Sequence, residues 1–579
     1  MRREGQGPIK IAMKRCDGLL GLTCCLSLAL AGCGGSSSSE DATSADGDGE
    51  STSTGTDESG SEESSTSENG DGDGDGDGDG DASCENPVPL AEAEGVFFEE
   101  VPPDFTLDTL RGPFNHASEW TGCDSYYFVG FHNNLFNPSE GNLEDFFADV
   151  PENTHFFFFA RNAASEQEAM AAVGAPAAAI EGYLTAQGQE FYDKWTNRFH
   201  YVTTPGTELP SWMVDLPQVS DSLGVAIDRW GRLREGGFLD IFVGSNTEPL
   251  FRNLAYSAGY YNYEVEYADA RAAEESSVTV VNAADGMLIS DTGSGIITFE
   301  MPDAATMAGF DTMQIELNFE CPGGTNGGHP YRGNCPAWDR IAQVAICLDA
   351  ECTQRWPVAE AITSYWRPTR SLLEATPFLA FFKDGGEFQL FVEWGPSFDP
   401  GPLETTINFR LFDEGKGMRP TQITPLWNGG TFNAMYNDTK LPVDVMVPDA
   451  AQKVEIATIV TGHGIETNSC AEYCNHEHEF TVNGGTPYAV EYEPLTSNVN
   501  SFGCAQLTHK GVQPNQWGSW YFGRAAWCPG WGVQPWIGDV TEDIDTGALN
   551  SFAYNGFFGA GPGGPGGSIF MGSYAVVYE

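Results

Sequence analysis

The chain has 579 residues and a formal net charge of −56. A surface this acidic repels nucleic acid and excludes that class of partner. The length allows roughly two to four domains and a large core, and abundant Gly, Phe and Trp with few long helical periodicities favours β-sandwiches joined by many turns.

In chain order, Lys14 and Arg15 precede an apolar run from Leu19 to Ala31 that ends in Leu30-Ala31-Gly32-Cys33. The run is too short to span a bilayer as a mature helix, and reads as a secretory signal over residues 1–33. Its ending resembles a bacterial lipobox, whose cysteine, here Cys33, is lipidated after cleavage. Residues 34–83 are rich in Ser, Gly, Asp and Glu and close in a Gly-Asp repeat. No side chain there can build a core, so the segment reads as a disordered, self-repelling tether. The repeat lacks the ligand pattern of a calcium loop. The expected location is the bacterial cell envelope, lipid-anchored at the outer membrane or cell surface.

Of 14 cysteines, Cys16, Cys24 and Cys25 leave with the signal and Cys33 would carry lipid. The even remainder suits disulfides in an exported chain. Pairing along the sequence would be Cys84–Cys123, Cys321–Cys335, Cys347–Cys352, Cys470–Cys474 and Cys504–Cys528. A zinc site would prefer a CxxC pattern, and none occurs.

Residues 84–244 read as a smaller α/β domain. Tyr126–Phe131, His155–Ala160, Gly224–Asp228 and Phe238–Val243 are expected strands, and Glu166–Phe199 is helix-rich. The run from Gly224 to Arg234 is similar to a late strand-turn-strand of thioredoxin-like proteins, without the CxxC a dithiol redox role would need. Residues 245–276 read as an aromatic connector. From Ser277 short strands follow one another, with a break near Lys416–Pro420, which predicts two sandwiches, 277–417 and 418–579.

The stretch Thr461–Phe480 concentrates chemistry. Cysteines four apart can bridge only across a tight turn, which would hold Glu472 at its apex. The bland reading is a disulfide that tidies a loop beside a solvated Glu.

Four stretches together carry a resemblance: Cys335-Pro-Ala-Trp-Asp-Arg340, Ile362-Thr-Ser-Tyr-Trp366, Gly462 to Cys474 with its Cys-Ala-Glu-Tyr-Cys core, and Gly523-Arg-Ala-Ala-Trp-Cys-Pro-Gly530. In this order they resemble the peptide:N-glycosidase F family of bacterial amidases, which remove N-linked glycans from asparagine. The likeness runs from about Ser277 to Glu579. It implies a mainly β fold of two tandem eight-stranded jelly rolls with a site at their interface. It implies Asp339 as the primary catalytic acid residue, Glu472 as a carboxylate acting through bound water, and Glu393 as a sugar-binding carboxylate. Arg340, Arg524 and Trp527 match site residues, and Trp338 belongs to the Asp339 motif. Trp366, Trp394 and Trp527 could stack on sugar, although each alone reads more simply as core. The resemblance implies no cofactor, a monomer, and N-glycosylated proteins or glycopeptides as partners. Three departures stand out: loose matching from His463 to Ser469, Trp394 directly beside Glu393, and a Gly-rich insertion from Gly323 to His329.

Two other readings compete. His476 and His478 alternate as on a strand, and with His463 could hold copper or zinc, as in copper-dependent monooxygenases of tandem jelly-roll build. A glycan-binding lipoprotein would keep the fold and its aromatics but would not need Asp339.

Overall fold

The computed structural model describes Cys84 and residues 86–131, 140–220, 222–238, 249–274, 276–289, 294–322, 335–394, 403–464, 470–492, 503–558, 561–562 and 566–579. The expected signal with Cys33, the expected tether and the segment Gly323–His329 lie outside them. Among the described residues no helix is long and apolar enough to cross a membrane. The five expected cysteine pairs are all joined.

The first layer is a five-stranded sheet in the order Phe199–Tyr201, Thr154–Ala160, Ser125–Phe131, Ser222–Ile227 and Leu233–Phe238. The first three strands are parallel and the last two antiparallel. The Phe run at 156–159 is explained by burial on both faces. Phe156 and Phe158 enter one core cluster, while Phe157 and Phe159 enter another across the sheet. The helix Glu166–Gln187 is capped by Ser165, which accepts the Glu168 amide, and buries a stripe at Ala169, Val173, Pro176, Ile180 and Leu184. The strand-turn-strand read from Gly224 is present, with its second strand at Leu233–Phe238, while the expected strand Phe238–Val243 lies, beyond its first residue, outside the described residues. Asp228 closes that turn by accepting from Arg232 and Arg234.

The expected connector is corrected. Pro249–Glu274 is a long helix. Its Phe251, Leu254, Ala255, Ala258, Tyr260 and Tyr261 belong to the core of the α/β layer. These apolar positions recur at helical spacing, a signal masked in the sequence by the interleaved Tyr residues. The other side of this helix meets the sandwiches. Asn253 Nδ2 donates to Tyr521 Oη at 3.2 Å, and Tyr260 Oη to Gln513 Oε1 at 2.8 Å.

The remainder is mainly β, in two sandwiches. Strands Thr369–Glu374, Thr312–Glu320, Leu403–Phe412 and Thr279–Ile289 form one sheet of the first sandwich. Arg355–Ile362, Ile341–Cys347, Gly386–Trp394 and Ser294–Met301 form its partner, extended by the short strand Trp531–Gly532 from the second half of the chain. The second sandwich pairs Pro420–Thr431, Ser568–Tyr578, Lys453–His463 and Trp536–Asp539 against Val443–Val447, Ala548–Phe558, His476–Val482 and Tyr488–Tyr492. Each half thus contributes eight main strands, as expected.

The two sandwiches meet through Arg355–Ile362 on one side and Lys453–His463 with Ser568–Tyr578 on the other. Lys453–His463 is buried along nearly its whole length, so it reads as a continuous apolar run rather than an alternating one. One carboxylate lies in this seam. Glu360 is fully buried, accepts from Thr461 Oγ1 at 2.6 Å and from Gln343 Nε2 at 3.1 Å, and has no ion-pair partner among the described residues. Burial pushes its carboxyl up from 4.5 to about 7. A carboxyl whose folded value is raised contributes stability that is full below the unfolded value and lost as pH rises through the folded one. The variant Glu360→Gln should therefore outlast the wild type in urea at about pH 8, by on the order of 3 kcal/mol, and match it below about pH 4.5. Equal urea midpoints at both pH values would refute this account of the seam.

Candidate functional site

Asp339 lies just before the strand Ile341–Cys347, on a segment held by short local links. Cys335 is bonded to Cys321, the Arg340 amide donates to Thr363 Oγ1 at 2.9 Å, and the Trp366 amide donates to Pro336 O at 2.9 Å. Trp366 takes a left-handed φ of +58°, unusual for a bulky residue, which turns Tyr365 back toward Asp339. The Tyr365 hydroxyl, which faces Ser519 Oγ at 3.3 Å, lies near enough to the Asp339 carboxyl to lower it.

Glu472 comes from the second sandwich. The Cys470–Cys474 bond closes one helical turn, in which the Cys474 amide donates to Cys470 O at 2.8 Å. The turn is tied on both sides: the Glu472 amide donates to Gly464 O at 3.2 Å, and the Ala525 amide donates to Glu472 O at 2.8 Å.

Arg524 bonds Glu472, and its charge also acts on Asp339. Its side chain is fully buried. Nε donates to Glu472 Oε1 at 3.2 Å, Nη1 to Ser519 O and Phe522 O at 3.0 and 2.8 Å, and Nη2 to Ser519 Oγ at 2.7 Å and Tyr365 Oη at 3.5 Å. The planar fork is thereby satisfied on every side, which a lysine could not reproduce. Its Cζ lies 4.9 Å from the Trp527 ring centroid and 5.4 Å from that of Tyr473. The neighbouring Ala526 has φ +73°, a second strained position beside the site.

The electrostatics follow from this packing. Burial raises the Asp339 carboxyl, and Arg524 and Tyr365 only partly oppose it. Burial likewise raises Glu472; Arg524 lowers it, while the Asp339 charge raises it further. Burial disfavours the Arg524 cation, but Tyr365, Tyr473, Glu472 and Asp339 more than compensate, and it stays charged. The site holds two carboxyls poised above their ordinary range beside one fixed positive charge.

The other sequence candidates fall in different surroundings. Glu393 is exposed on the strand Gly386–Trp394, 4.0 Å from Arg355, with 48% of its side chain accessible. Its register partner is Gln343, which leads to Glu360, so it shares a cross-strand row with that residue. Trp338 is 51% exposed and open to a ligand. Trp527 is buried; its ring stacks on His463 and carries Arg524, and its indole N–H donates to Gly462 O at 2.8 Å. Arg340 is buried as well. Trp366 is half-buried against the aromatic cluster of Tyr256, Tyr365, Trp520 and Tyr521. Buried Trp527 thus has no open face for a sugar, and serves as a shelf for Arg524.

The three-histidine alternative is set aside on geometry. His476 and His478 face one side of a strand, but their nearest nitrogens bond each other at 2.8 Å, and His478 Nδ1 continues to Tyr554 Oη at 2.6 Å. His463 instead bonds Thr461 Oγ1 at 2.8 Å. Among the described residues no three His, Cys, Asp or Glu side chains converge as a metal-binding group.

The sequence reading missed Tyr365 and Ser519. Tyr365 stood inside a quoted motif, next to the Trp that drew attention. Ser519 sits in a turn with no motif of its own.

The family model described as peptide-N-glycosidase F, C terminal, matches residues 431–576, the span of the second sandwich. Peptide-N(4)-(N-acetyl-beta-D-glucosaminyl)asparagine amidase F of Elizabethkingia miricola is 23% identical over 292 residues, covering 47% of this chain and 74% of that protein. The solved structure of PNGase F, a glycosylasparaginase from Flavobacterium meningosepticum, aligns over 52% of this chain and 95% of its own at 18% identity and a TM-score of 0.40. That of PNGF-II aligns over 54% and 68% at 15% identity and a TM-score of 0.39. The chain is thus similar to the peptide-N-glycosidase F family over residues 431–576, and to that amidase at 23% identity over 292 residues.

Two outcomes are expected from the site's construction. Arg524→Gln should move both the Asp339 and Glu472 carboxyls further up, read by carboxyl NMR titration, and should cost about 3–5 kcal/mol in urea unfolding. Cys470→Ser should cost about 2 kcal/mol and lower turnover, because the turn that aims Glu472 is no longer stapled.

Proposed function

We propose that the chain is a peptide-N4-(N-acetyl-β-glucosaminyl)asparagine amidase acting on N-glycoproteins or glycopeptides. The observation that carries this reading is that Asp339 and Glu472, from different sandwiches, are buried within the field of one guanidinium, Arg524, which bonds Glu472 and lowers both carboxyls. An amide with a glycosylated nitrogen needs an activated water, a stabilised oxyanion and a proton for the leaving nitrogen.

In this reading Asp339 takes a proton from water while Glu472 holds that water in place. The Asp339 carboxyl is a stronger base for being buried, with Arg524 and Tyr365 moderating the rise. The water oxygen bonds the side-chain carbonyl carbon, and the carbonyl oxygen gains negative charge. Arg524, which is charged and needs no reorganisation, stabilises that charge with Arg340. Collapse breaks the C–N bond, and the proton held by Asp339 passes to the departing glycosylamine. Aspartate remains in the peptide. Glu393 and Trp338, both exposed, would contact the glycan in this reading rather than cleave the bond.

The chain from Gly78 to Glu579 forms one compact unit and suits the assay. A denatured N-glycoprotein treated with it, chelator present, should lose its glycan and gain the mass of amide-to-acid conversion at the former glycosylated asparagine. Asp339→Asn should lower turnover by at least ~10²-fold at an unchanged melting temperature. Normal turnover in Asp339→Asn, or no release by the wild type, would overturn the assignment. Glycan retained on the protein without cleavage would point to a binding lipoprotein.

A further inference from the structure

A second buried polar chain runs from the seam into the back of the site. Glu360 Oε1 is 2.6 Å from Thr461 Oγ1, and Thr461 Oγ1 is 2.8 Å from His463 Nε2. The His463 ring stacks on Trp527 at 5.1 Å and meets Phe570 edge-on at 5.1 Å. Trp527 in turn carries the Arg524 guanidinium. One residue beyond His463, Gly464 O accepts the Glu472 amide. His463 therefore sits between Glu360 and both the cation and the carboxylate turn.

Thr461 has one hydroxyl proton for two partners. When Glu360 is ionised, that proton goes to the carboxylate, the shorter and charge-assisted bond. The hydroxyl oxygen must then accept from His463, whose hydrogen is on Nε2. When Glu360 is protonated, its O–H donates to Thr461 and Thr461 donates to His463 Nε2. The ring hydrogen is then on Nδ1.

We propose that Glu360 and Thr461 are positioning residues that set the tautomer of His463 behind the Asp339–Glu472–Arg524 site, the consequence for turnover resting on the amidase reading above.

The surroundings suit this role. The groups facing Glu360 are Gln343, Thr461 and the Val533 amide, which bonds the Glu360 carbonyl; none is charged. Burial, opposed only by the hydrogen bonds from Thr461 and Gln343, raises its titration to about 7. His463 faces Arg524 and His476, and burial with their positive charge or potential charge depresses it to about 3. It stays neutral across the working range, so the ring changes tautomer without becoming an imidazolium.

The test reads the ring directly in the full chain, labelled with ¹⁵N-histidine and assigned with His463→Gln. In the wild type and Thr461→Ser, the hydrogen should move from Nε2 to Nδ1 as pH falls through about 7. In Glu360→Gln and Thr461→Val the tautomer should not change with pH. For glycopeptide turnover, kcat should show an ionisation in the same range in the wild type and Thr461→Ser. That ionisation should vanish in Glu360→Gln and Thr461→Val, with KM unmoved. A wild-type ring that keeps one tautomer throughout, or a switch that persists in Glu360→Gln, would overturn the proposal. A kcat ionisation that survives in Glu360→Gln would remove the link to turnover. If the ring switches but no glycan is released, the amidase reading falls and the tautomer control stands.

Discussion

A guanidinium without water must have every N–H directed at an acceptor, and this requirement shapes the whole site. Arg524 meets it with two backbone carbonyls, the Ser519 and Tyr365 hydroxyls and Glu472. Those acceptors come from turns and from a disulfide-closed loop, none of which is a regular element. Removing any one would leave a buried donor unpaired, at a cost of about 1–3 kcal/mol. The strained φ at Ala526 and Trp366 is affordable in that setting, because the surrounding bonds over-determine the local backbone. The same cation moderates two carboxyls that burial would otherwise push further up.

The seam between the sandwiches explains why this arrangement needs both halves of the chain. Asp339 and Tyr365 belong to the first sandwich, Glu472 and Arg524 to the second. A strand of the second half, Trp531–Gly532, adds directly to a sheet of the first. Tyr574 packs against Trp356 and Phe378, and aliphatic residues of both sandwiches share one core cluster. Apolar area fixes the two bodies in register, and the polar residues at the seam then have defined partners. Glu360 is the exception that shows the cost, since a carboxyl with no cation beside it rises to about 7.

Much of this was legible from residues alone, and the limits have physical causes. Short strands, turn residues and the five cysteine pairs follow from local chemistry, and each leaves a local pattern. Motif order identified Asp339, Glu472 and Arg524, because their spacing is tied to turns and disulfides that the sequence displays. The helix Pro249–Glu274 was hidden because its polar-edged tyrosines face a second body rather than water, which blurs the amphipathic period. Trp527 suggested a sugar platform, yet aromatic residues carry the same signature whether they stack on a ligand or on an arginine. The Glu360–Thr461–His463 chain joins residues about a hundred positions apart, and no periodicity can announce such a contact.

The α/β layer has a physical claim on the site that its sequence did not advertise. Tyr256 of its long helix lies in the same aromatic cluster as Tyr365, Trp520 and Tyr521, and Asn253 grips the Tyr521 hydroxyl. The adjoining residue Ser519 bonds both Arg524 and Tyr365. A buried cluster of large rings transmits displacement, because interiors close-packed to crystal density have little free volume to absorb it. Arg367, two residues past Tyr365, is ion-paired to Glu235 of the sheet's last hairpin, with both side chains buried. The Tyr365 segment is therefore clamped between two layers, and the surroundings of the Asp339 carboxyl depend on contacts from outside the two sandwiches. A site assembled from three bodies gains rigidity from each joint, since no loop that carries a functional group is free to move without breaking a buried contact elsewhere.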